Sequence, residues 1–411
     1  MEQTAVNPSM AASPWQGLRE VDSRLHTSAS SDWLEGLSIT VFSSPEEAEA
    51  DWIFLESFAS VPFADRAWSQ TWYRGHADDP DVQPVLVGGR DQDGKPLFLL
   101  PLVCEWRGPF KVLAWAGATH SAYHCGLFTP ECRRQVTSAN AKAFWKKVFA
   151  KLKGYDALVA FGLPSFEIAT NNPLSKLFMQ ECCSSSNRML LQEDWDELYL
   201  AKTKSKSRNR DRRRERQLAE CGTVHYNVAE TSEERQKLLA ALIAQKSERF
   251  EEQGVANFFE DSSIRAFYEE IIESENWDES RSVFLSAVEV DGEPIAVNLG
   301  IIQESTFHGM VLSMSGGEFE RLSPGRILLV RTMEHLCRKG LKVLDFGVGA
   351  DQYKDSWCDE AIDRANVLVP LNTKGQLYIS GLKLFLRGKD SIKQSPRLWS
   401  LFSRCRRVLG N

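Results

Sequence analysis

The sequence lacks long apolar runs. Its 411 residues contain no stretch of about 18 consecutive apolar residues, so we expect no membrane-spanning helix. The first residues, MEQTAVNPSMAASPWQG, also lack the basic and apolar regions of a secretory signal peptide. These two absences favour a cytoplasmic location, and they leave open a peripheral contact with the inner membrane.

Paired cysteines are also missing. Nine cysteines are scattered along the chain, and no two of them form a Cys-x-x-Cys pair. This pattern suits reduced thiols better than a disulfide scaffold or a zinc module. His120 and His124, with Cys125, come nearest to a set of metal ligands. Gly117 and Ser121 place them in a loop after a strand, so we expect no metal.

Positive charge is not in excess. The 49 Lys and Arg residues stand against 56 Asp and Glu residues, which gives a net charge of −7. This balance argues against wholesale nucleic-acid binding, and we expect no DNA partner. Hydrophobic residues make up 43% of the chain, which at this length is enough for two or three domains with cores of their own.

An internal repeat organises what is present. Two hairpins are predicted at Asp93-Gly94 and Asp291-Gly292, because Asp-Gly between strand-like runs is a strong hairpin signal. Each hairpin leads to a further strand, a helix that ends in Lys-Gly, and one more strand. The two helices are predicted over residues 141–153 and 325–339. In the second half, Thr231 to Glu234 forms a capping box that should open another helix.

Antiparallel strands mixed with helices indicate an α+β fold. We place a first domain at residues 31–200 and a second at residues 201–380. Residues 1–30 are rich in Ser and Ala, and we expect them to be disordered. Residues 381–411 form a basic tail with interspersed Leu and aromatic residues. That tail is predicted either to lie on an anionic membrane surface or to pack as a helix against the second domain.

The segment from Leu322 to Trp357 carries the densest functional signals. Ser323 suits a helix N-cap, Pro324 suits the first helical position, and Gly325 would let an anion approach the open N–H groups. Arg326 would add positive charge. A helix start of this kind predicts a phosphate site, although Ser-Pro also begins many helices that bind nothing.

The run AKTKSKSRNRDRRRERQ is the steepest concentration of charge. We expect Arg208, Arg212 and Arg213 to bind an anionic acceptor through bidentate hydrogen bonds. A solvated helix at the domain junction and a contact with RNA or an anionic membrane are the alternatives. No aromatic residues are interleaved with the basic ones, which disfavours nucleic acid.

Three stretches resemble a known enzyme family. They are SKSRNRDRRRERQLAECG (205–222), LSPGRILL (322–329) and DFGVGADQYKDSW (345–357). Together they resemble the GNAT-type acetyltransferase domain of the CelD family, which is associated with bacterial exopolysaccharide and cellulose synthesis. More remotely, the chain resembles FemAB-type peptidyltransferases, which carry two tandem GNAT units. The resemblance covers about residues 37–375 and implies two tandem GNAT-like domains, each a mostly antiparallel mixed sheet flanked by helices.

The resemblance implies transfer of an acyl group to an amine or hydroxyl. The expected donor is acetyl-CoA or another acyl-CoA, and the expected acceptor is a sugar or another cell-envelope or exopolysaccharide precursor. The pattern departs from typical GNAT enzymes, since Pro324-Gly325-Arg326 replaces their longer glycine-rich phosphate loop. Two alternatives therefore stay open. One is aminoacyl transfer from aminoacyl-tRNA, and the other is a non-catalytic GNAT-fold partner of a polysaccharide synthase.

The resemblance also suggests roles for residues in the third stretch. Asp345 would orient a water or an acceptor ammonium, or else would only cap the glycine turn that follows it. Tyr353 would protonate the leaving thiolate, unless it packs against Trp357. Lys354 would meet substrate phosphate, as a lysine does in the FemAB pattern. Asp351 would contact the acceptor. His308, on a predicted strand, is an alternative base.

Overall fold

The computed structural model describes residues 32–117, 120–177, 179–181, 185–277, 280–349 and 354–394. The segment 1–30 that we predicted to be disordered lies outside these residues. Within the described residues, no helix is both long enough and apolar enough to cross a membrane.

The first half of the chain alternates helices and strands. Its helices are α1 (Asp32–Gly36), α2 (Glu49–Leu55), α3 (Arg66–Gly75), α4 (Pro130–Gln135), α5 (Ala141–Phe149), α6 (Ser165–Ala169) and α7 (Trp195–Lys202). Its strands are β1 (Ser38–Phe42), β2 (Val82–Arg90), β3 (Pro96–Arg107), β4 (Phe110–Trp115), β5 (Leu127–Phe128), β6 (Ala157–Pro164), β7 (Met179–Glu181) and β8 (Ser186–Leu190).

The second half repeats the order. Its helices are α8 (Ser205–Ala219), α9 (Ser232–Glu252), α10 (Ser262–Ile271), α11 (Pro324–Arg338), α12 (Lys354–Trp357) and α13 (Thr373–Gln394). Its strands are β9 (Val224–Val228), β10 (Arg281–Val290), β11 (Glu293–Gln303), β12 (Thr306–Met314), β13 (Val343–Val348), β14 (Glu360–Ile362) and β15 (Arg364–Pro370).

Two mixed sheets result. The first has the strand order β1-β2-β3-β4-β6-β15-β7, with β5 beside β3, and the second has the order β9-β10-β11-β12-β13-β8-β14. Each sheet contains one parallel pair, β4 with β6 and β12 with β13, and the other described pairs are antiparallel. The predicted α+β class, with two mostly antiparallel mixed sheets flanked by helices, is confirmed.

The two sheets exchange a strand. β8 follows the first sheet in sequence but pairs with β13 of the second, whereas β15 follows the second sheet in sequence but pairs with β6 of the first. No single cut near residue 200 therefore separates one sheet from the other. Because each sheet borrows a strand beside its parallel pair, residues of one half of the chain reach the site of the other.

Local signals in the sequence correspond to these elements. Asp93-Gly94 lies in the turn between β2 and β3, and Asp291-Gly292 joins β10 to β11. Thr231 and Glu234 bond reciprocally as a capping box at the start of α9. α13 begins at Thr373, eight residues before the point at which we placed the basic tail.

The halves share one continuous core. α3 of the first half packs against α10 of the second, with the rings of Trp68 and Phe267 at 4.8 Å and those of Trp72 and Phe267 at 5.2 Å. Arg281 pairs with the buried Asp65 at 3.0 Å across the same seam. The other face of the second sheet is covered by α7 and α11 through a separate cluster that includes Leu336 and Trp357. This arrangement fixes the first half over one face of the second sheet.

Candidate active site

A cleft opens where β12 and β13 separate. These parallel strands pair only from Thr306–His308 to Val343–Asp345 and then diverge. The opening has a volume of about 710 Å³. It is lined by His120, Lys246, Phe258, Tyr268, Asn298, Phe307, Gly309, Met310, Val311, Leu312, Leu329, Leu344, Asp345, Phe346 and Val348. Most of these residues are apolar, as is usual for a ligand pocket, and five carry polar side chains.

Asp345 lies at the base of this cleft and is only 1% exposed. One carboxylate oxygen accepts hydrogen bonds from the hydroxyl of Ser186 and the N–H of Gly347, both at 2.8 Å. The other accepts from the hydroxyl of Tyr123 at 2.7 Å and from Nε of Arg188 at 2.8 Å. Four donors thus converge on one buried carboxylate, which satisfies the requirement that a buried charge be paired and hydrogen-bonded.

The surroundings keep Asp345 ionised. Burial alone would raise the pKa of this carboxyl, but the charge interactions and hydrogen bonds oppose burial, so that its pKa is lowered overall. His308 and Arg188 are both among the neighbours with this effect. We assign the larger part to Arg188, because burial lowers the pKa of His308 to about 4 and leaves its ring uncharged at neutral pH.

This geometry bears on how Asp345 acts. The bond from Gly347 is the Asx-type cap that the glycine turn suggested, and Gly347 adopts a φ of 67°, which favours glycine. Because four donors already occupy its two oxygens, the carboxylate is poorly placed to accept a proton from a substrate. Its position suits an anchor that fixes Tyr123 and Arg188 at the domain seam.

His308 sits beside Asp345 in the parallel ladder and is 4% exposed. Its Nδ1 atom is buried and has no hydrogen-bond partner among the residues that the structure describes. Its ring contacts Phe63 of the first half, with centroids 5.8 Å apart. His308 therefore faces the seam between the halves and is absent from the residues that line the cleft.

His120 is a histidine that does line the cleft. Its Nδ1 atom lies 3.1 Å from the hydroxyl of Tyr268, and its ring packs against Trp72 and Phe258. Burial, with a smaller contribution from His76, lowers its pKa to about 4. The ring is therefore uncharged at neutral pH, and Tyr268 holds it in one orientation.

Asn298 adds a second polar group. It is only 5% exposed, it lines the cleft, and its side-chain amide has no hydrogen-bond partner among the residues that the structure describes. Buried amides are normally paired. The amide of Asn298 is thus available to a group that enters the cleft.

The start of α11 borders the cleft. Leu312 of the cleft wall would lie 3.9 Å from a Cβ atom at Gly325, and Met314 would lie 3.3 Å from it. Ser323 adopts a left-handed conformation with a φ of 53°, and its side chain makes no capping bond. The hydroxyl cap that we predicted for Ser323 is therefore wrong. Its carbonyl accepts the first bonds of the helix, from the N–H groups of Arg326 and Ile327.

Arg326 has a partner within the protein. It forms two hydrogen bonds of 2.8 Å with the carboxylate of Asp211, and its guanidinium lies 5.7 Å from the ring centroid of Trp357. Tyr199 donates a third bond to the same carboxylate at 3.0 Å. Asp211 is thus a buried acid on the basic helix, and it ties α8 to the start of α11.

The predicted acceptor arginines lie on α8 but differ in exposure. Arg208 is half-buried and donates to the carbonyl of Thr203 at the end of α7. Arg212 and Arg213 are exposed. Arg212 borders a shallow surface depression that is also lined by Glu215 and Arg216. Arg208 thus bonds to the C-terminal end of α7, whereas Arg212 and Arg213 face solvent.

The remaining predicted residues fall at the gap in the described residues between 349 and 354. Asp351 and Tyr353 lie outside the described residues, and of Lys354 only the backbone is described, at the start of α12. Trp357, at the end of α12, is fully buried and stacks with Trp195 and Tyr199. Among the described residues, no group of three or more His, Cys, Asp or Glu side chains is arranged to hold a metal ion.

The corresponding opening in the first sheet is closed by the chain itself. β4 and β6 pair at Val112 and Leu113 and then diverge, as β12 and β13 do. Here the N–H of His124 bonds to the carbonyl of Gly162 at 3.1 Å, and the ring of His124 stacks on Trp115. His120 and His124 are close in the sequence but lie in different places. His120 lines the cleft of the second sheet, whereas His124 packs against the first sheet.

The residues around Asp345 carried no signal in the sequence. Tyr123 is 222 residues away from its partner, and Ser186 and Arg188 belong to a strand that is exchanged between the sheets. Tyr268 and Asn298 occupy an ordinary helix and an ordinary strand. Only the pairing of strands in space brings these groups together.

Comparison with known families adds to this geometry. Residues 205–355 match the family described as an acetyltransferase (GNAT) domain. The match runs from α8 to the start of α12 and includes the strands that form the cleft. This part of the chain is an acyltransferase domain. No curated protein matches the sequence.

Solved structures show a similar fold. FemX is similar over 79% of this chain and 96% of its own, with 12% identity and a TM-score of 0.50. L-PGS from Bacillus licheniformis is similar over 84% and 96%, with 11% identity and a TM-score of 0.48. A tandem GNAT protein from the clavulanic acid biosynthesis pathway is similar over 82% and 99%, with 10% identity and a TM-score of 0.45. At 12% identity, the similarity to FemX concerns the fold alone.

Proposed function

We propose that the enzyme moves an acyl group, most simply acetyl, from acyl-CoA to an amine or hydroxyl of a cell-envelope or exopolysaccharide precursor. The observation that carries the proposal is the cleft between β12 and β13, two strands that lie within the acetyltransferase match, with Asp345 at its base. The equivalent gap between β4 and β6 is filled by the loop that carries His124. We therefore assign the reaction to the second sheet.

The cleft suits a thioester donor. Its lining includes the apolar side chains of Met310, Leu329 and Leu344, which would limit the contact of a reacting carbonyl with water. The amide of Asn298 is free to hydrogen-bond a polar group of the donor. The start of α11 lies next to Leu312. A donor whose phosphates bind near Gly325 could therefore extend its acyl group into the cleft.

The reaction requires transfer of one proton. The acceptor nitrogen or oxygen forms a bond to the acyl carbon, the carbon–sulfur bond breaks, and the thiolate leaves and takes up a proton. The acceptor must lose a proton during this exchange. We assign its removal to His120, whose ring is uncharged at neutral pH, and we propose the tautomer that carries its proton on Nδ1 beside the hydroxyl of Tyr268 and keeps a lone pair on Nε2.

For the acceptor, we propose an anionic precursor. Arg212 and Arg213 lie exposed on α8, the helix that Asp211 ties to the start of α11. Guanidinium groups bind phosphate and carboxylate in a bidentate manner. Lys354, Tyr353 and Asp351 remain part of this proposal, with Lys354 meeting substrate phosphate and Tyr353 protonating the leaving thiolate.

Aminoacyl transfer from aminoacyl-tRNA is the second candidate. The observation in its favour is the occupied start of α11, where the carbonyl of Ser323 accepts from the N–H groups of Arg326 and Ile327. Asp211 also occupies the guanidinium of Arg326. This leaves fewer donors for a pyrophosphate than a glycine-rich loop would supply.

Calorimetry with two donors separates these candidates. An acyl-CoA enzyme should bind acetyl-CoA directly, and Gly325→Val should weaken binding by about 1 kcal/mol or more if a charged hydrogen bond is lost. An aminoacyl transferase should bind aminoacyl-tRNA and ignore acetyl-CoA. If the chain binds neither donor, the proposal of catalysis by either route fails.

A further inference from the structure

We propose that the exposed face of α13 binds the surface of an anionic phospholipid bilayer. Three large apolar side chains lie on this face, Leu377, Leu384 and Phe385, and they are 70%, 73% and 65% exposed. They are the three most exposed of the large apolar side chains described. Spacings of seven and eight residues place them on one side of the helix. We call these three residues the apolar stripe.

The opposite side of α13 is firmly packed. Ile379 is 1% exposed and joins a cluster with Val112, Val159 and Leu368, which belong to β4, β6 and β15. Gly375 lies so close to the sheet that a Cβ atom there would be 1.7 Å from the carbonyl of Asp156. α13 therefore lies flat on the first sheet. The apolar stripe is on the side of the helix that faces away from this sheet.

Charge identifies the occupant. Residues 373–411 contain nine Lys and Arg residues and one Asp, whereas the remaining residues contain 40 Lys and Arg residues against 55 Asp and Glu residues. The end of the chain is thus strongly positive and the rest is strongly negative. An anionic lipid surface attracts such a basic segment and repels the acidic remainder, which would orient the molecule with α13 towards the bilayer.

A neighbouring turn supplies a residue typical of membrane interfaces. Trp106, beside the turn between β3 and β4, is 44% exposed, and the ammonium of Lys111 lies 4.9 Å from its ring centroid. This turn contacts α13, since Arg107 donates to the hydroxyl of Tyr378 at 3.0 Å. Tryptophan and lysine side chains are favoured at the headgroup level of bilayers.

Lipid explains the surface better than RNA or a second copy of the chain. RNA would use the basic residues but would leave Leu377, Leu384 and Phe385 exposed to water. A second copy would cover the apolar stripe but would bring two positively charged segments together. An anionic bilayer would bury the apolar stripe and would also attract the basic residues.

Vesicle sedimentation tests the proposal. The full chain should sediment with vesicles made of equal parts phosphatidylglycerol and phosphatidylcholine, and should stay in solution with phosphatidylcholine alone. The variant Leu377→Glu/Leu384→Glu/Phe385→Glu should bind the anionic vesicles at least tenfold more weakly. Ile53→Glu is the matched control, because Ile53 is an apolar residue on α2 that is 51% exposed.

Three further measurements guard the interpretation: melting temperature, analytical ultracentrifugation and competition with RNA. Equal melting temperatures of the triple variant and the Ile53→Glu control would show that the variant is folded. Equal binding of the wild type and the triple variant to anionic vesicles would overturn the proposal. So would a wild-type dimer, detected by analytical ultracentrifugation, that the triple variant dissociates, or binding of RNA that competes with the vesicles. None of these outcomes depends on acyl transfer.

Discussion

Tyr123 of the first half donates a hydrogen bond of 2.7 Å to the buried carboxylate of Asp345 in the second half. The guanidinium of Arg188, which binds the same carboxylate, lies 5.5 Å from the ring centroid of Tyr123 and 4.7 Å from that of Phe166. Residues from both halves therefore share one buried charge at the base of the cleft. The first half therefore both lines the cleft, through His120, and donates a hydrogen bond at its base.

Tyr123→Phe should destabilise the protein by about 1.5–3 kcal/mol, the usual range for a hydrogen bond to a charged group. Denaturant unfolding measures this change. Tyr73→Phe is the control, because the Tyr73 hydroxyl is also buried but donates to a neutral carbonyl, that of Leu102, at 2.9 Å. Its cost should be nearer 1 kcal/mol. Equal costs for the two variants would mean that the carboxylate of Asp345 adds nothing to its bond with Tyr123.

His120→Gln should lower kcat/KM by about 10²–10⁴-fold, the usual contribution of a general base. In the wild type, burial lowers the pKa of His120 to about 4, so activity should be lost as the pH falls through about 4 and should not fall near pH 6.5. The pH profile of kcat/KM tests both points.

Two histidines serve as comparisons for this variant. His225 is exposed on β9, and His225→Gln should leave the rate unchanged. His308 is buried at the seam, and His308→Gln should affect stability more than the rate. A large rate loss in His308→Gln with an active His120→Gln enzyme would transfer the role of base to His308.

Lys354→Ala should reduce turnover far more than stability. Lys354 begins α12, and we expect its positive charge to meet substrate phosphate there. Lys342→Ala is a suitable control, since Lys342 is exposed and pairs with Glu193 at 3.1 Å. An equally active Lys354→Ala enzyme, assayed with its natural acceptor, would remove this lysine from the site.

Arg212→Ala/Arg213→Ala should raise KM for an anionic acceptor and leave donor affinity nearly unchanged. The effect should weaken with added salt, because exposed charges are screened over about 10 Å at 0.1 M ionic strength. Arg208 is omitted from this variant, because its bond to Thr203 at the end of α7 gives it a structural role. Unchanged acceptor kinetics at low salt would assign α8 to a solvated surface.

The repeat could be predicted because its signals are local. Asp93-Gly94, Asp291-Gly292 and the Thr231 capping box act over a few residues, and each lies in the structure where the sequence placed it. The strand exchange had no such signal. The apolar patterns of β8 and β15 would fit either sheet. The sequence therefore does not show which sheet each strand joins, and only tertiary pairing decides it.

The site was predictable only in part. The chemistry and spacing of the Asp345 segment predicted a site at this strand end, and a cleft opens beside Asp345. Arg326 was expected to meet phosphate, yet Asp211 binds it from the basic helix. Asp211 is flanked by arginines in the sequence, and the sequence does not show that its side chain is buried. Tyr268 and Asn298 likewise gave no signal in the sequence, because only the fold brings their distant elements to the cleft.

Acetyl-CoA binding to a variant with a filled cleft tests the central claim most directly. Met310 lines the cleft and is partly exposed, so that Met310→Trp should fill the space between β12 and β13. Val224→Trp is the control, since it fills a separate cavity of about 400 Å³ beside β9. By calorimetry, Met310→Trp should weaken acetyl-CoA binding by roughly tenfold or more, or about 1.4 kcal/mol, and Val224→Trp should not. Undiminished binding by a folded Met310→Trp protein would contradict a donor site in this cleft.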